Sequence, residues 1–201
     1  MTIKKTSDLY ALIGAIAFTI HGLYILYDIF YFMNFGLSIW SFRSLHFVIC
    51  IGFALLLFIK KKNIAFVVVS GLDVLYRAYV IINSFNYFGF ASFLELLASI
   101  SMFIIIVYNC SKTRNDKSEI MKKVWFIPSL LIVLRFLYLL IFHRIGNYIL
   151  YLSEYENGML LNYILSQLLV LFIDFIYFLS YTMLALWFKE KAKEDSNVSV
   201  V

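Results

Sequence analysis

The sequence contains few charged residues for its length. Charged residues make up 14% of its 201 residues, whereas soluble domains carry roughly 25%. Hydrophobic residues make up 63%, and the mean hydropathy is +0.89. A soluble core of this size cannot bury so much apolar surface. The composition therefore predicts an all-α integral membrane protein, with the lipid bilayer as its first partner.

Proline and glycine are also scarce. Pro128 is the single proline, and there are eight glycines. Helices with so few interruptions should be long and continuous. This argues against transporters that are built on discontinuous helices.

Cysteine pairs and catalytic motifs are missing as well. Cys50 and Cys110 do not have the spacing of metal ligands, and each is expected to be buried as a small hydrophobic residue. The sequence has no G-x-S-x-G, H-E-x-x-H or Walker A motif. We predict no cofactor and no metal, and we favour a protein that is not an enzyme. The net charge of +5 lies mainly at helix ends, so it gives no nucleic-acid signal.

Six apolar stretches are long enough to cross a bilayer, which takes roughly 20 residues. They are Leu9–Met33, Ser38–Ile59, Ile64–Ser84, Tyr87–Tyr108, Val124–Phe142 and Leu160–Phe188. We predict one six-helix transmembrane domain over residues 1–188, followed by a polar cytoplasmic tail over 189–201. Two outer links should be tight, Asn34–Leu37 and Phe85–Asn86. In the third outer link, the segment Ile145–Tyr155 could form either a surface helix or a plain loop.

The basic residues predict the orientation. Lysines and arginines collect in alternate connections, and the opposite set holds only Arg144. The first set consists of Lys4, Lys5, Lys60, Lys61, Lys62, Lys112, Arg114, Lys117, Lys122, Lys123, Lys189, Lys191 and Lys193. Because basic residues accumulate on the cytoplasmic side, both termini should be cytoplasmic in a multi-pass protein of the cell membrane.

Seven charged residues and two histidines lie inside the predicted spans. They are Asp28, Arg43, Asp73, Arg77, Glu95, Arg135, Asp174, His21 and His46. A charge near the bilayer centre costs at least ~2.5 kcal/mol, so these side chains should face the bundle interior and have partners there. Asp73 and Arg77 form an i,i+4 pair, and His46 lies one turn before Cys50. His46 and Cys50 could supply two metal ligands, but the sequence places no third.

Depth along each helix sorts the charges into two layers. Asp28, Arg43 and Glu95 are expected near the outer ends of their helices, with Arg43 between the two acids. Asp73, Arg77, Arg135 and Asp174 should lie nearer the midplane, as should His21. The order of charges is compatible with a weak 3+3 inverted repeat. It is equally compatible with chance, since no other residues match between the halves.

Three functions remain open. The first is a small transporter or a solute-binding membrane subunit, whose charged site between helices takes a small solute or ion. The second is a non-catalytic immunity, regulatory or assembly subunit with a membrane-protein partner. The third is an intramembrane lipid-modifying enzyme that uses Glu95 and His46. Direct pairing of every interior charge would favour a structural role for these residues, and a void among them would favour a site.

Overall fold

The computed structural model describes residues 6–31, 37–60, 64–110, 117–141 and 157–198. Side chains are described for residues 6–30, 43–60, 64–83, 89–110, 119–141 and 164–194. All elements in these ranges are helices: α1 (Thr6–Tyr31), α2 (Leu37–Ile59), α3 (Ile64–Cys110), α4 (Lys117–Val124), α5 (Ile127–Tyr138) and α6 (Asn157–Val198). Residues 34–36 of the first predicted link and the segment Ile145–Tyr155 lie outside the described residues.

The 47-residue helix α3 folds back on itself. Arg77 contacts Glu95 and Asp73 contacts Ser99, although 18 residues of straight helix would separate such a pair by about 27 Å. Both contacting pairs are centred on residue 86. The arms Ile64–Asn83 and Gly89–Cys110 therefore pack antiparallel, and the reversal coincides with the predicted link Phe85–Asn86.

Five helical stretches are long and apolar enough to cross a membrane: Thr6–Phe30, Ile64–Asn83, Gly89–Cys110, Glu119–Ile141 and Ile164–Glu194. Each overlaps a predicted span. The second predicted span corresponds to α2, which is 23 residues long, but its side chains are described only from Arg43 to Ile59, a shorter apolar helix.

The surface of the bundle is apolar, as expected of a membrane-embedded protein. On α1, Ala11, Ala15 and Phe18 are fully buried, whereas Leu23 and Phe30 on the opposite face are more than half exposed. The same division occurs on the other long helices. Soluble monomers rarely expose apolar patches of this extent, so these faces are suited to lipid.

Each long helix of the bundle packs against at least two others. Helix α1 lies between α2 and α6, while α3 contacts α2, α5 and α6. Gly14 lets α1 approach its neighbours, because a Cβ there would come within 3.0 Å of Leu57 on α2 and 3.1 Å of Met183 on α6. Small residues allow this close approach between membrane helices.

Two helix bounds differ from the sequence prediction. The predicted fifth span, Val124–Phe142, begins at a turn over Trp125–Phe126 that separates the preceding short helix α4 from α5, and Pro128 lies in the first turn of α5, where its missing N–H costs nothing. The polar tail begins as helix, since α6 continues to Val198. Ser7 donates a hydrogen bond of 2.7 Å to Glu194, so the start of α1 lies beside the end of α6.

Candidate functional site

Five of the charged residues form one continuous network in the interior. We use the term ionic network for Asp73, Arg77, Glu95, Arg135 and Asp174. Arg77 Nη1 lies 2.6 Å from Glu95 Oε2, and Arg77 Nε lies 3.5 Å from Asp73 Oδ1. Arg135 Nε lies 2.5 Å from Glu95 Oε1, and its Nη1 lies 2.9 Å from Asp174 Oδ1. The charges therefore alternate in sign along the chain Asp73, Arg77, Glu95, Arg135, Asp174.

The two arms of α3 build the centre of this network. Asp73 and Arg77 are one turn apart on the first arm, so both project from the same face. Glu95 and Ser99 have the same spacing on the second arm, and the hairpin brings the two faces together. Helices α5 and α6 then add Arg135 and Asp174 beside Glu95. No single helix carries a complete set of partners.

Hydroxyl groups complete the coordination of the buried charges. Ser99 Oγ donates to Asp73 Oδ2 at 2.7 Å, and the Tyr181 hydroxyl donates to the same oxygen. Arg77 Nη2 donates to the Tyr177 hydroxyl at 3.0 Å. The Tyr177 ring also lies against both guanidinium groups, 5.4 Å from Arg77 and 5.8 Å from Arg135. Tyr177 therefore packs against both cations of the network.

The network is removed from solvent but is not electrically balanced. Asp73, Arg77, Glu95 and Asp174 are all less than 10% exposed. When ionised, its three carboxylates and two guanidinium groups give a net charge of −1. Burial of an uncompensated charge is costly at low dielectric. Among the residues whose side chains the structure describes, the network is therefore short of one positive charge.

Two histidines and a cysteine lie next to the network. The ring of His21 lies 4.9 Å from that of Tyr177 and 5.4 Å from that of His46. Arg77 Nη2 donates to His46 Nε2 at 2.9 Å, so this nitrogen carries no proton. One ligand atom each from His21, His46 and Cys50 can be chosen within 4.8 Å of one another. The sequence pointed to His46 and Cys50, and the fold brings His21 to them from α1.

Asp28 and Arg43 form a separate ion pair between α1 and α2. The side chains of Arg43 and Asp28 are 36% and 26% exposed, whereas that of Arg77 is 6% exposed. The pair therefore lies in a more exposed environment than the ionic network, and the outer layer predicted for both residues stays a prediction.

The predicted outer layer is wrong for Glu95. This residue was expected beside Arg43, but it bridges Arg77 and Arg135 in the same network as Asp73 and Asp174. Position along a straight helix gives the depth of a Cα atom only. The hairpin centred on residue 86 places Arg77 and Glu95 at equal distances along the two arms of α3, so their side chains meet. The middle layer therefore holds three acids and two arginines, not two of each.

One cavity reaches the network from the side. A space of about 260 Å³ between α5 and α6 is lined by Val133, Phe136, Leu137, Asp174, Phe175 and Phe178. Its walls are almost wholly apolar, with Asp174 as the one carboxylate. A second cavity of about 210 Å³ lies between the second arm of α3, α4 and the start of α5, and its lining is apolar. Neither cavity could be predicted from sequence patterns, because each depends on packing between helices.

Comparison of the chain with protein-family models, with curated proteins and with solved structures gave no match. Function must therefore be inferred from the interior itself.

Proposed function

We propose that this protein is a small membrane transporter or solute-binding membrane subunit whose interior takes up one positive charge, a proton or a metal cation. The observation that carries this proposal is the net charge of −1 on the ionic network. A balanced array of ion pairs is sufficient to fix helix packing, whereas this network, when ionised, carries one carboxylate more than its arginines neutralise. Intramembrane acids commonly mark ion pathways and proton relays.

The excess carboxylate can be assigned to the Asp73 end of the network. Glu95 lies within 2.6 Å of two guanidinium groups, and Asp174 lies 2.9 Å from Arg135. Asp73 has a longer contact of 3.5 Å to Arg77 and otherwise accepts from hydroxyl groups. A proton or cation would therefore gain most near Asp73.

The proposal includes six spans at the cell membrane, with both termini cytoplasmic. Helix α2, at 23 residues, is about 35 Å long and so is sufficient for the sixth span. The Ser7–Glu194 hydrogen bond supports an even number of spans, because it joins the start of α1 to the end of α6. Lys60 lies 3.3 Å from Asp8 at this same end of the bundle.

Reporter fusions test this topology. Fusions after Lys62, Lys117 and Lys193 should report a cytoplasmic location, and fusions near Asn34 and Glu154 an external one. A cytoplasmic signal at Glu154 would contradict the six-span arrangement.

Thermal unfolding of the purified protein tests the binding of a cation. Melting temperature is measured at constant ionic strength while pH, Na⁺ or Zn²⁺ is varied. A cation present at 100 times its Kd stabilises by about 2.7 kcal/mol, or roughly 5–10 °C for a chain of this length. Asp73→Asn balances the network and should abolish the response. Asp28→Asn lies outside the network and should respond like the wild type. A wild type that responds to none of these cations, or three proteins that respond alike, would refute the proposal.

The alternative of a non-catalytic regulatory or assembly subunit is favoured by a different observation. Each of the seven intramembrane charges has an ion-pair partner, and direct pairing of every interior charge is the outcome that favours a structural role. This alternative predicts no cation response and a membrane partner that copurifies in stoichiometric amount. The enzyme hypothesis has less support, because Glu95 is held by two arginines and His46 accepts from Arg77.

A further inference from the structure

His21, His46 and Cys50 stand out from the other interior polar groups because all three carry possible metal-ligand atoms and lie close together. His46 and Cys50 are one turn apart on α2, and His21 faces them from α1. The three ligand atoms lie within 4.8 Å of one another. Cys50 is almost wholly buried, with 2% of the residue exposed.

The absence of hydrogen bonds from described residues to the buried His21 ring is a second observation, separate from the closeness of the three side chains, that points to a ligand. The residue is 8% exposed, and neither of its ring nitrogens has a hydrogen-bond partner among the described residues. Buried polar atoms normally have partners, because an unmade hydrogen bond leaves the desolvation cost uncompensated. The interior contains many hydroxyl groups, yet none of the described ones bonds to this imidazole. The ring nitrogens of His21 can therefore bind another ligand.

We propose that His21, His46 and Cys50 bind a soft divalent cation, with Zn²⁺ as the type ion. One thiolate and two imidazoles form a donor set that zinc prefers, and three protein ligands leave a fourth position for water or solute. Zinc–ligand distances of about 2.0–2.3 Å place tetrahedral ligand atoms roughly 3.3–3.8 Å apart. Ligand atoms that now lie within 4.8 Å of one another therefore need to close by about 1 Å around the ion.

Charge balance favours a divalent ion over a monovalent one. Binding replaces the thiol proton of Cys50, which leaves to solvent, and creates a thiolate. The thiolate and the ionic network then carry −2 together, which one divalent cation neutralises. This step rests on the proposed function, because it identifies the missing positive charge of the network with the metal ion.

The site is coupled to the network through His46. Its Nε2 accepts from Arg77, and a neutral imidazole has only one nitrogen without a proton. Coordination at either ring nitrogen therefore competes with the bond from Arg77. Arg77 retains Glu95, Asp73 and Tyr177 as partners, so the ion can take His46 without leaving the guanidinium unpaired.

Cobalt is a direct probe of the thiolate ligand. Purified full-length protein in detergent is titrated with Co²⁺, and the near-ultraviolet thiolate-to-cobalt charge-transfer band is recorded together with the visible bands of tetrahedral cobalt. We expect one ion per chain and displacement of cobalt by Zn²⁺. Cys50→Ala should abolish the charge-transfer band, and His21→Gln should weaken Zn²⁺ binding by more than the roughly 10- to 100-fold that is typical of outer-shell changes.

Cys110→Ala is the matched control, because Cys110 is the only other cysteine of the chain. This variant should keep the band and the Zn²⁺ affinity of the wild type. Retained gel-filtration profile and melting temperature show that each variant is folded. A folded wild type without a charge-transfer band, or a band that persists in Cys50→Ala, would overturn the proposed site.

Failure of this site can be distinguished from failure of the proposed function. If the charge-transfer band is absent but Na⁺ or pH still shifts the melting temperature in an Asp73-dependent way, the metal site is wrong and the network binds another cation. If the band is present but Asp73→Asn leaves Zn²⁺ affinity unchanged, the ion does not balance the network, and the divalent assignment loses its charge argument.

Discussion

The bundle has two buried core regions, one near the end where α1 begins and α6 ends and one around the ionic network. Different forces stabilise the two regions. At the end where Ser7 meets Glu194, the core is formed by aromatic rings and small aliphatic side chains, such as Phe66 stacked on Trp187 with 5.1 Å between ring centroids. In the other half, Arg77 and Arg135 bridge three carboxylates. Because lipid is as apolar as the core, packing must stabilise the first region and charge complementarity the second.

The comparison shows why the two regions should tolerate different substitutions. Dispersion forces act between all apolar groups, so the first region depends on shape and volume. The second depends on matching donors to acceptors, and a deletion leaves a charge behind at low dielectric. Substitutions can test this difference directly.

The largest effect is expected at Arg77. Arg77→Leu leaves Asp73 with hydroxyl partners alone and Glu95 with one guanidinium, so we expect a loss of about 3–5 kcal/mol and little folded protein. Arg77→Lys keeps the charge but cannot reach four partners at once. Yield and melting temperature in detergent should therefore rank wild type above lysine above leucine. A leucine variant as stable as the wild type would show that the network is not needed for folding.

In the apolar half, Gly14→Ala should be the more harmful of two matched substitutions. The new methyl group would meet Leu57 at 3.0 Å and Met183 at 3.1 Å, whereas at Gly71 its nearest neighbour is Phe103 at 3.6 Å. We expect Gly14→Ala to cost about 1–3 kcal/mol through overpacking. Gly71→Ala should be neutral. Equal melting temperatures for the two variants would contradict the close approach of α1 to its neighbours.

The pair Arg135 and Asp174 tests the coupling within the charged half. Asp174→Ala should destabilise the protein, and adding Arg135→Leu should recover part of the loss. A double-mutant cycle should give a coupling of about 0.5–3 kcal/mol. Recovery stays incomplete because Arg135 also contacts Glu95 at 2.5 Å. Single losses that simply add would exclude a direct interaction.

The smallest effect is expected at Asp28. Its pair with Arg43 is about one-quarter to one-third exposed, so solvent and lipid headgroups can replace either partner. Asp28→Asn should cost less than about 1 kcal/mol. A loss as large as that of Asp174→Ala would show that accessibility does not separate the two ion pairs.

The sequence alone predicted a large part of the interior. The i,i+4 spacing of Asp73 and Arg77 places both on one face, and the depth of Arg135 required an anion from another helix. The sequence predicted Asp174 in the same layer as Arg135, and the structure places the two side chains 2.9 Å apart. The approach of His21 to Cys50 was not predictable, since it depends on how α1 and α2 rotate against each other.

Composition and periodicity by themselves determined the membrane class, the helical architecture and the shared face of Asp73 and Arg77. These are local properties, because an apolar stretch of sufficient length buries its own backbone hydrogen bonds wherever it lies. Only the tertiary structure decided which charges meet. It moved Glu95 from the predicted pairing with Arg43 to a bridge between Arg77 and Arg135, changed the charge balance of the network and completed the group of His21, His46 and Cys50. Those outcomes depend on the rotation, tilt and register of neighbouring helices, which no single segment encodes.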